Sequence, residues 1–359
     1  MRSQSLNIVI FGLSITSSWG NGHATIYRAL VRELAARGHK VLFLERDAPW
    51  YKAARDLPRP PFGRTIIYKS LTELKRRFNG AVRGADLVIV GSYVPQGIAV
   101  GEWVVHHARG VTAFYDIDTP VTLKMIKRGT APYLSAALIP LYRLYLSFTG
   151  GPVLRLLECQ YRAPMARALY CCVDAELYYP TEHKRLWHLG YMGTYSKDRQ
   201  PKLDRLMLEP ARRFRKARMV VAGPQYPIAI KWPANVERIE HLSPKSHRAF
   251  YNQQAFTLNV TRSSMVHAGY SPSVRLFEAA ACGRPIITDR WRGLESFFKP
   301  GKEILIADSP NQTLEYLLDM PEAERENIGR RARRRVLAEH TAAQRTAQLE
   351  SYALELLGG

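Results

Sequence analysis

The run from Gly269 to Ile306, GYSPSVRLFEAAACGRPIITDRWRGLESFFKPGKEILI, gathers residue types that can hold a phosphate-bearing ligand. Ser271 is suited to cap a helix and Pro272 to open it, while Val274, Phe277 and Ala281 supply an apolar stripe at helical spacing. Gly283 ends that helix, and Arg284-Pro285 lead into the apolar Ile286-Ile287-Thr288, which predicts a buried strand. The N–H groups at the start of such a helix attract an anion. Ser273 and Val274 stand at that start, with Arg275 in the first turn. Glu278 follows three residues later on the same face, so that one side chain can hold phosphate and the other a ribose hydroxyl. The same spacing also fits an ion pair on a helix surface.

Three loops are expected to meet beside this helix: Gly193-Thr194-Tyr195, Asn259-Val260-Thr261-Arg262 and His267-Ala268-Gly269-Tyr270-Ser271. A nucleotide diphosphate that leaves a sugar develops negative charge on its phosphate oxygens. Guanidinium groups, here Arg262 and Arg275, and backbone N–H donors stabilise that charge without a metal. Gly193 and Gly269 let the backbone approach a ligand closely.

Together with Tyr191-Met192-Gly193-Thr194-Tyr195 upstream and Gly293-Leu294-Glu295 and Pro300-Gly301-Lys302-Glu303 downstream, this run resembles the C-terminal half of glycosyltransferases of the spore maturation protein CgeB family. Those proteins are similar to the wider group of GT-B sugar transferases. The likeness is close over the second half of the chain and follows pattern more than motif in the first. It implies an α/β chain of two Rossmann-like, doubly wound domains facing a central cleft. It also implies a nucleotide-sugar donor on the second domain, an unidentified acceptor entering from the first, and no cofactor or metal. Many related transferases carry a second Glu eight residues after the first; that position here is Ile286, and Glu295 is the substitute on offer.

The first half has chemistry of its own. In Trp19-Gly20-Asn21-Gly22-His23-Ala24-Thr25, His23 can serve as general base for an acceptor hydroxyl, because a free imidazole titrates near neutrality; the alternative is a His that caps or packs at a helix start. Gly20, Asn21 and Gly22 then form an acceptor-side loop. The same glycines suggest a dinucleotide fold with Glu45 on the ribose, hence an NAD(P)-dependent oxidoreductase. The fingerprint would need Gly at position 25, where Thr stands, and a tighter turn than this loop gives. Asp116-Ile117-Asp118 follows an apolar run and resembles the metal-binding Asp-x-Asp of a different transferase fold, GT-A. One of these carboxylates acting as catalytic base or acceptor ligand fits a metal-free donor site better, and simple turn chemistry at Asp118-Thr119-Pro120 fits as well.

The elements that must position these residues follow from pattern. Apolar runs at Asn7–Phe11, Lys40–Leu44, Asp86–Val90, Thr112–Tyr115, Leu144–Phe148 and Tyr170–Val173, alternating with helical periods such as 24–37, predict a parallel sheet with crossover helices. Ligands of such sheets bind at the carboxyl ends of the strands. The polar stretch from Asp174 to His188 reads as a linker. Beyond it the alternation repeats at Leu189–Met192, Met219–Ala222, Ala255–Val260, a helix at 272–282 and Pro285–Thr288. The expected domains are residues 1–178 on the acceptor side, 179–335 for the nucleotide sugar, and a C-terminal helix at 336–359 that in the resembled family packs back on the first domain.

Composition sets limits on partners. The chain has 359 residues, 52 Lys and Arg against 31 Asp and Glu, and a formal charge of +21. That surplus favours phosphate-bearing substrates, anionic lipid or nucleic acid without choosing among them. Clusters such as Arg212-Arg213-Phe214-Arg215-Lys216 and Arg330-Arg331-Ala332-Arg333-Arg334-Arg335 read as solvated helix faces. A basic nucleic-acid-binding protein is the non-enzyme alternative, although no helix-turn-helix or zinc module is visible. Cys159, Cys171, Cys172 and Cys282 lack metal-ligand spacing and read as reduced thiols. Leu6–Phe11 runs into Gly12 as a first strand would, without a signal-peptide pattern, and 131–148 is broken by Pro132, Pro140 and Arg143. The expectation is a cytoplasmic protein, with peripheral contact to an anionic membrane left open.

Overall fold

The computed structural model describes residues 5–19 and 22–358. Gly20 and Asn21 of the expected acceptor-side loop lie outside the described residues. The chain forms two compact units: one reaches Cys171 and resumes at Ala342, and the other is Cys172–Thr341. The first boundary thus precedes the 178/179 junction expected from the sequence, and the return to the first unit comes later than residue 336.

The first unit is built on a seven-stranded sheet: β1 (Asn7–Gly12), β2 (Lys40–Arg46), β3 (Arg64–Tyr68), β4 (Leu87–Gly91), β5 (Val111–Asp116), β6 (Leu144–Ser147) and β7 (Ala166–Ala168). They lie in the order β3-β2-β1-β4-β5-β6-β7, and every pair is parallel. Strands such as NIVIFG after its first residue, and LVIVG, are apolar because both faces of the sheet are covered. Alternate residues serve opposite cores. Val9, Phe11, Val88 and Val90 pack with Leu74, Phe78 and Val104, and Ile8, Ile10, Leu87 and Ile89 pack with Tyr27, Leu30 and Leu34.

The second unit repeats the plan with β8 (Trp187–Met192), β9 (Met219–Ala222), β10 (Val236–Ile239), β11 (Gln254–Asn259), β12 (Ile286–Thr288) and β13 (Leu305–Ile306), all parallel in the order β10-β9-β8-β11-β12-β13. The strand order reverses between β1 and β4 in one unit and between β8 and β11 in the other, which are the crevices where such sheets take ligands.

Three edge strands, β3, β10 and β13, escape a reading by apolar runs because β3 has only three apolar residues in a row, β10 is interrupted by charge and β13 is two residues long. The strand expected at Tyr170–Val173 is a correction: β6 pairs instead with Ala166–Ala168, and Val173 makes only an isolated bridge to Thr341. Cys171 and Cys172 are buried and lie outside any regular strand.

The last helix, Ala342–Leu357, packs on the first unit, with Leu349 and Ala353 in the same apolar cluster as Leu6, Leu34 and Leu87. Glu350 pins it: its carboxylate accepts from Arg37 Nη1 at 2.7 Å and from His39 Nε2 at 2.6 Å. The Leu6 N–H donates to His39 Nδ1 at 3.0 Å, so that nitrogen is an acceptor and the proton sits on Nε2, facing Glu350. Replacing Glu350 with Ala leaves the buried His39 donor unsatisfied and is expected to lower stability by about 2 kcal/mol. Urea unfolding checks this, and an unchanged midpoint would show that apolar packing alone holds the helix.

Candidate active site

The helix after the Gly269 loop begins at Val274 with Ser273 as its N-cap and ends at Ala281, two residues later at its start than the sequence suggests. Ser271 does not cap it, because its hydroxyl is directed to the Met265 sulfur at 3.0 Å. Gly269 (φ 70°) and Tyr270 (φ 48°) turn the chain sharply, and a Cβ on Gly269 would stand 2.8 Å from the Arg292 carbonyl. His267 and Ala268 belong to the short helix Ser263–Ala268 and not to the loop. At the other end Gly283 is left-handed at φ 67°, and the Arg284 N–H reaches back to the Ala279 carbonyl, as a glycine-terminated helix requires.

Arg275 reaches from this helix to the switch point of the second sheet. Its Nε donates to the Met192 carbonyl at the end of β8, its Nη1 donates to Asn259 Oδ1 at 2.7 Å at the end of β11, and its guanidinium lies 4.7 Å from the Tyr191 ring centre. Asn259 is fully buried, and its amide orientation is determined by its partners: Oδ1 also accepts from Ser273, and Nδ2 donates to Thr261 and Thr288. A Cβ on Gly193 would come within 2.8 Å of Arg275 Nη2, so glycine is what lets the guanidinium lie against the β8 loop.

Two more guanidiniums converge there. Arg199, missed in the sequence, donates to the Thr194 carbonyl at 2.5 Å. Its pKa is lowered by burial and then by the positive charges of Arg275 and Arg262. Arg262 stands at the start of the Ser263–Ala268 helix, beside Asp198. Burial acts to raise the Asp198 carboxyl, but hydrogen bonds from Ser196 and Ser263 and the charge of Arg262 hold it at about 2. Among the described residues, neither Arg199 nor Arg275 has a carboxylate at ion-pair distance. Lys202 is neutralised by Asp289, at 2.5 Å, which also accepts from the Thr261 N–H and hydroxyl.

Glu278 turns the other way. It is 3% exposed and accepts from the Tyr251 hydroxyl at 2.8 Å, so the surface ion pair with Arg275 does not form. Ile286 is buried in β12 and offers no position for a second carboxylate at the site, and Glu295 is exposed on a short turn. Beside Gly193 lies an aromatic group that the sequence reading also missed. The Tyr226 hydroxyl donates to the Gly193 carbonyl at 3.1 Å, its ring meets Tyr195 edge-on at 5.5 Å, and Arg238 stacks on Tyr226 and Trp232 at 4.2 and 4.6 Å. The stretch Pro224–Pro233, rich in aromatic and proline residues after a strand and Gly223, was the available signal.

In the first unit, Asp116 ends β5 and is wholly buried. Its oxygens accept from Tyr145 at 2.6 Å, Thr122 at 2.8 Å and the Asp118 N–H at 3.2 Å. Burial raises this carboxyl to about 6, against those hydrogen bonds. Asp118 is half-buried, and its Oδ2 accepts from Tyr93 at 2.9 Å; Tyr93 sits just past β4 with φ 65°, a conformation costly for a bulky residue. The two carboxylates therefore do not present a joint face to a metal. His23 opens the first helix after Gly22, with its ring edge-on to Tyr93 at 5.3 Å. Burial drives its imidazole down to about 3, which removes the near-neutral titration on which its reading as a base relied. Glu45 accepts from the Ile15 and Thr16 N–H groups and the Thr16 hydroxyl, so its carboxylate braces the loop after β1 instead of awaiting a ribose.

Residues 199–351 match a family model described as glycosyl transferase-like, a stretch that contains Arg199, Arg262 and Arg275. Among solved structures, a sucrose-phosphate synthase from Thermosynechococcus elongatus superposes with a TM-score of 0.71 at 15% identity, covering 98% of this chain and 99% of its own. Anabaena HepE in complex with UDP and glucose does so at 0.72 and 11%, covering 98% and 100%. An alpha-glucosyltransferase in complex with UDP gives 0.69 and 13%, covering 97% and 100%. The fold is GT-B. No curated protein matches the sequence.

The Asp116 environment makes a signed prediction. Burial favours its neutral form in the folded state, so the contribution to stability is complete below the ordinary value of 3.8 and is lost as the pH rises through about 6. Asp116→Asn is therefore expected to gain on the wild type across that window, by on the order of 2–3 kcal/mol. Urea unfolding of both proteins at about pH 4 and about pH 7.5 tests this; a difference that does not change with pH would contradict it.

Proposed function

We propose that this protein is a glycosyltransferase of the CgeB-like kind, moving a sugar from a nucleotide-diphosphate donor to an acceptor hydroxyl without a metal or other cofactor. The observation that carries the reading is the convergence of Arg199, Arg262 and Arg275 on the carboxyl ends of β8 and β11, where Arg199 and Arg275 lack a carboxylate partner among the described residues. Three clustered guanidiniums repel one another in a partly desolvated place, and a diphosphate relieves that repulsion. When the bond from the anomeric carbon to the diphosphate breaks, its electron pair leaves with the phosphate, and fixed guanidiniums stabilise that charge with little reorganisation. Thr194, Tyr195, Gly269, Tyr270, Ser271, Ser273 and Val274 shape the surrounding loops and helix start. Glu278 would meet the donor only from beneath, through its tyrosine-held carboxylate.

On the first unit, Asp118 is the carboxylate best placed to receive the proton of an acceptor hydroxyl. It is half-buried at the end of β5 and held by Tyr93, while Asp116 beneath it is enclosed and His23 is a weak base. Two of the solved structures that share the fold, HepE and the alpha-glucosyltransferase, carry UDP, which makes UDP the first nucleotide to try. No helix among the described residues is long and apolar enough to cross a membrane. A cytoplasmic enzyme acting on a glycan, a lipid-linked sugar, a protein or a metabolite is consistent with these features.

Calorimetry with UDP, GDP, dTDP, CDP and NAD(H), each with Mg²⁺ and with chelator, tests the reading. One nucleoside diphosphate is expected to bind equally well under both conditions. Arg275→Ala should weaken it at least about ten-fold, as the loss of a charge-assisted pair implies. Arg275→Lys should not restore it, because a lysine cannot bridge Met192 and Asn259 as the planar fork does. Binding of NAD(H) alone would replace the transferase with the oxidoreductase.

A further inference from the structure

The edge of the first sheet opposite Asp116 and Asp118 carries a cation ahead of, or at the start of, five of its seven strands, β2 to β6. In spatial order these are Arg64 opening β3, Lys40 opening β2, Arg83 before β4, Arg109 before β5 and Arg143 before β6. All five are exposed. Among the described residues, the charged groups of Lys40, Arg64, Arg83 and Arg109 have neither an ion pair nor a hydrogen bond, and Arg143 uses one nitrogen to reach the Leu356 carbonyl at 2.7 Å. Adjacent strands lie about 4.8 Å apart, so the row spans on the order of 20 Å. Crossover helices end at this edge, and a cation near a helix C-terminus offsets its dipole. That accounts for some charge at Arg83 and Arg109, but not for what accompanies it.

Beside Arg143 the surface is greasy. Leu141 is 51% exposed two residues before it, and Leu354 and Leu357, each 38% exposed, are on the last helix whose Leu356 carbonyl Arg143 holds. At the other end of the row a cavity of about 560 Å³ is lined by Ala35, Lys40, Gly63, Arg64, Gly80 and Gly84. Gly80 and Gly84 face open space, so the face of their helix above these strands is left unfilled. A row of exposed cations, with leucines at its Arg143 end and a recess beside Lys40 and Arg64, is the kind of surface that binds an anionic bilayer: charge attracts the headgroups and leucine enters the interface. Single-stranded nucleic acid calls for aromatic stacking platforms, and the exposed large side chains at this edge are leucines.

We propose that this edge of the first unit docks on an anionic phospholipid membrane. The inference does not depend on the donor site. Asp116 ends the strand that Arg109 precedes, so the acceptor-side loops would stand about 20 Å from the bilayer and face away from it. An acceptor reaching beyond the headgroups would then be favoured over a short lipid headgroup.

Co-sedimentation of the full chain with phosphatidylcholine vesicles, with and without phosphatidylglycerol, tests the proposal. Binding is expected only with phosphatidylglycerol. Lys40→Glu/Arg64→Glu/Arg83→Glu/Arg109→Glu should weaken it at least about ten-fold. Arg212→Glu/Arg213→Glu/Arg215→Glu/Lys216→Glu, with the same change in net charge on the second unit, should bind as the wild type does. Leu141→Ser/Leu357→Ser should weaken binding with the charge intact. Melting temperature and far-ultraviolet circular dichroism confirm that each variant is folded; if the fourfold edge variant fails to fold, Arg83→Gln/Arg109→Gln takes its place, with a smaller loss expected. Equal binding to neutral vesicles, equal loss in both charge-reversal variants, or an edge that binds single-stranded RNA but no vesicles would overturn the proposal.

Discussion

The second unit depends on one buried contact, the guanidinium of Arg275 held between the Met192 carbonyl and the Asn259 side chain. A helix, the end of β8 and the end of β11 are all tied to it. Because Asn259 uses both of its amide atoms, on Ser273, Thr261 and Thr288 as well as Arg275, the loop after β11, the strand β12 and the helix start are set together. A planar, always charged group in that position keeps its remaining nitrogen directed at Gly193. Removal of a buried ligand to such a network costs more than one hydrogen bond, since the other donors and acceptors are then left without partners.

The same strand order in both units brings different chemistry to equivalent places. The switch point of the second sheet gathers positive charge, and the carboxyl end of the first gathers carboxylates and phenols. In the first unit Tyr93 links His23 and Asp118, while Thr122 joins Asp116 to Tyr133. Satisfied hydroxyl partners allow Asp116 to be buried, and its raised pKa records the residual cost of doing so. A group buried this deeply supports its neighbours and leaves the exchange of protons with a ligand to the more exposed Asp118.

The chain's return to the first unit has a different cause. Residues 342–357 carry an apolar face that packs in the cluster around Leu6, Leu34 and Leu87, and the Glu350 carboxylate accepts from Arg37 and His39. Sequence distance plays no part in that pairing. It explains why the last helix belongs with the first unit although the second unit runs up to Thr341.

Much of this was legible in the residues. Long apolar strands buried on both faces announce themselves, so β1, β2, β4, β5, β9 and β11 could be placed, and Gly283 marked the end of the helix that carries Arg275. Arg262, Arg275 and the glycines at 193 and 269 could be named because their chemistry and loop positions suffice. The edge strands β3, β10 and β13 could not be seen, because a strand partnered on one side needs no continuous apolar run. Arg199 and Tyr226 were invisible because their significance comes from neighbours far along the chain. For the same reason, spacing placed Glu278 and Arg275 together on one helix face, whereas packing sends one to Tyr251 and the other to Asn259. The sequence alone determined the kinds of residue and the local elements, since both follow from side-chain chemistry and short-range periodicity. Only the tertiary structure decided which charges are paired, which are buried and which converge, because those depend on the long-range packing that brings strand ends together.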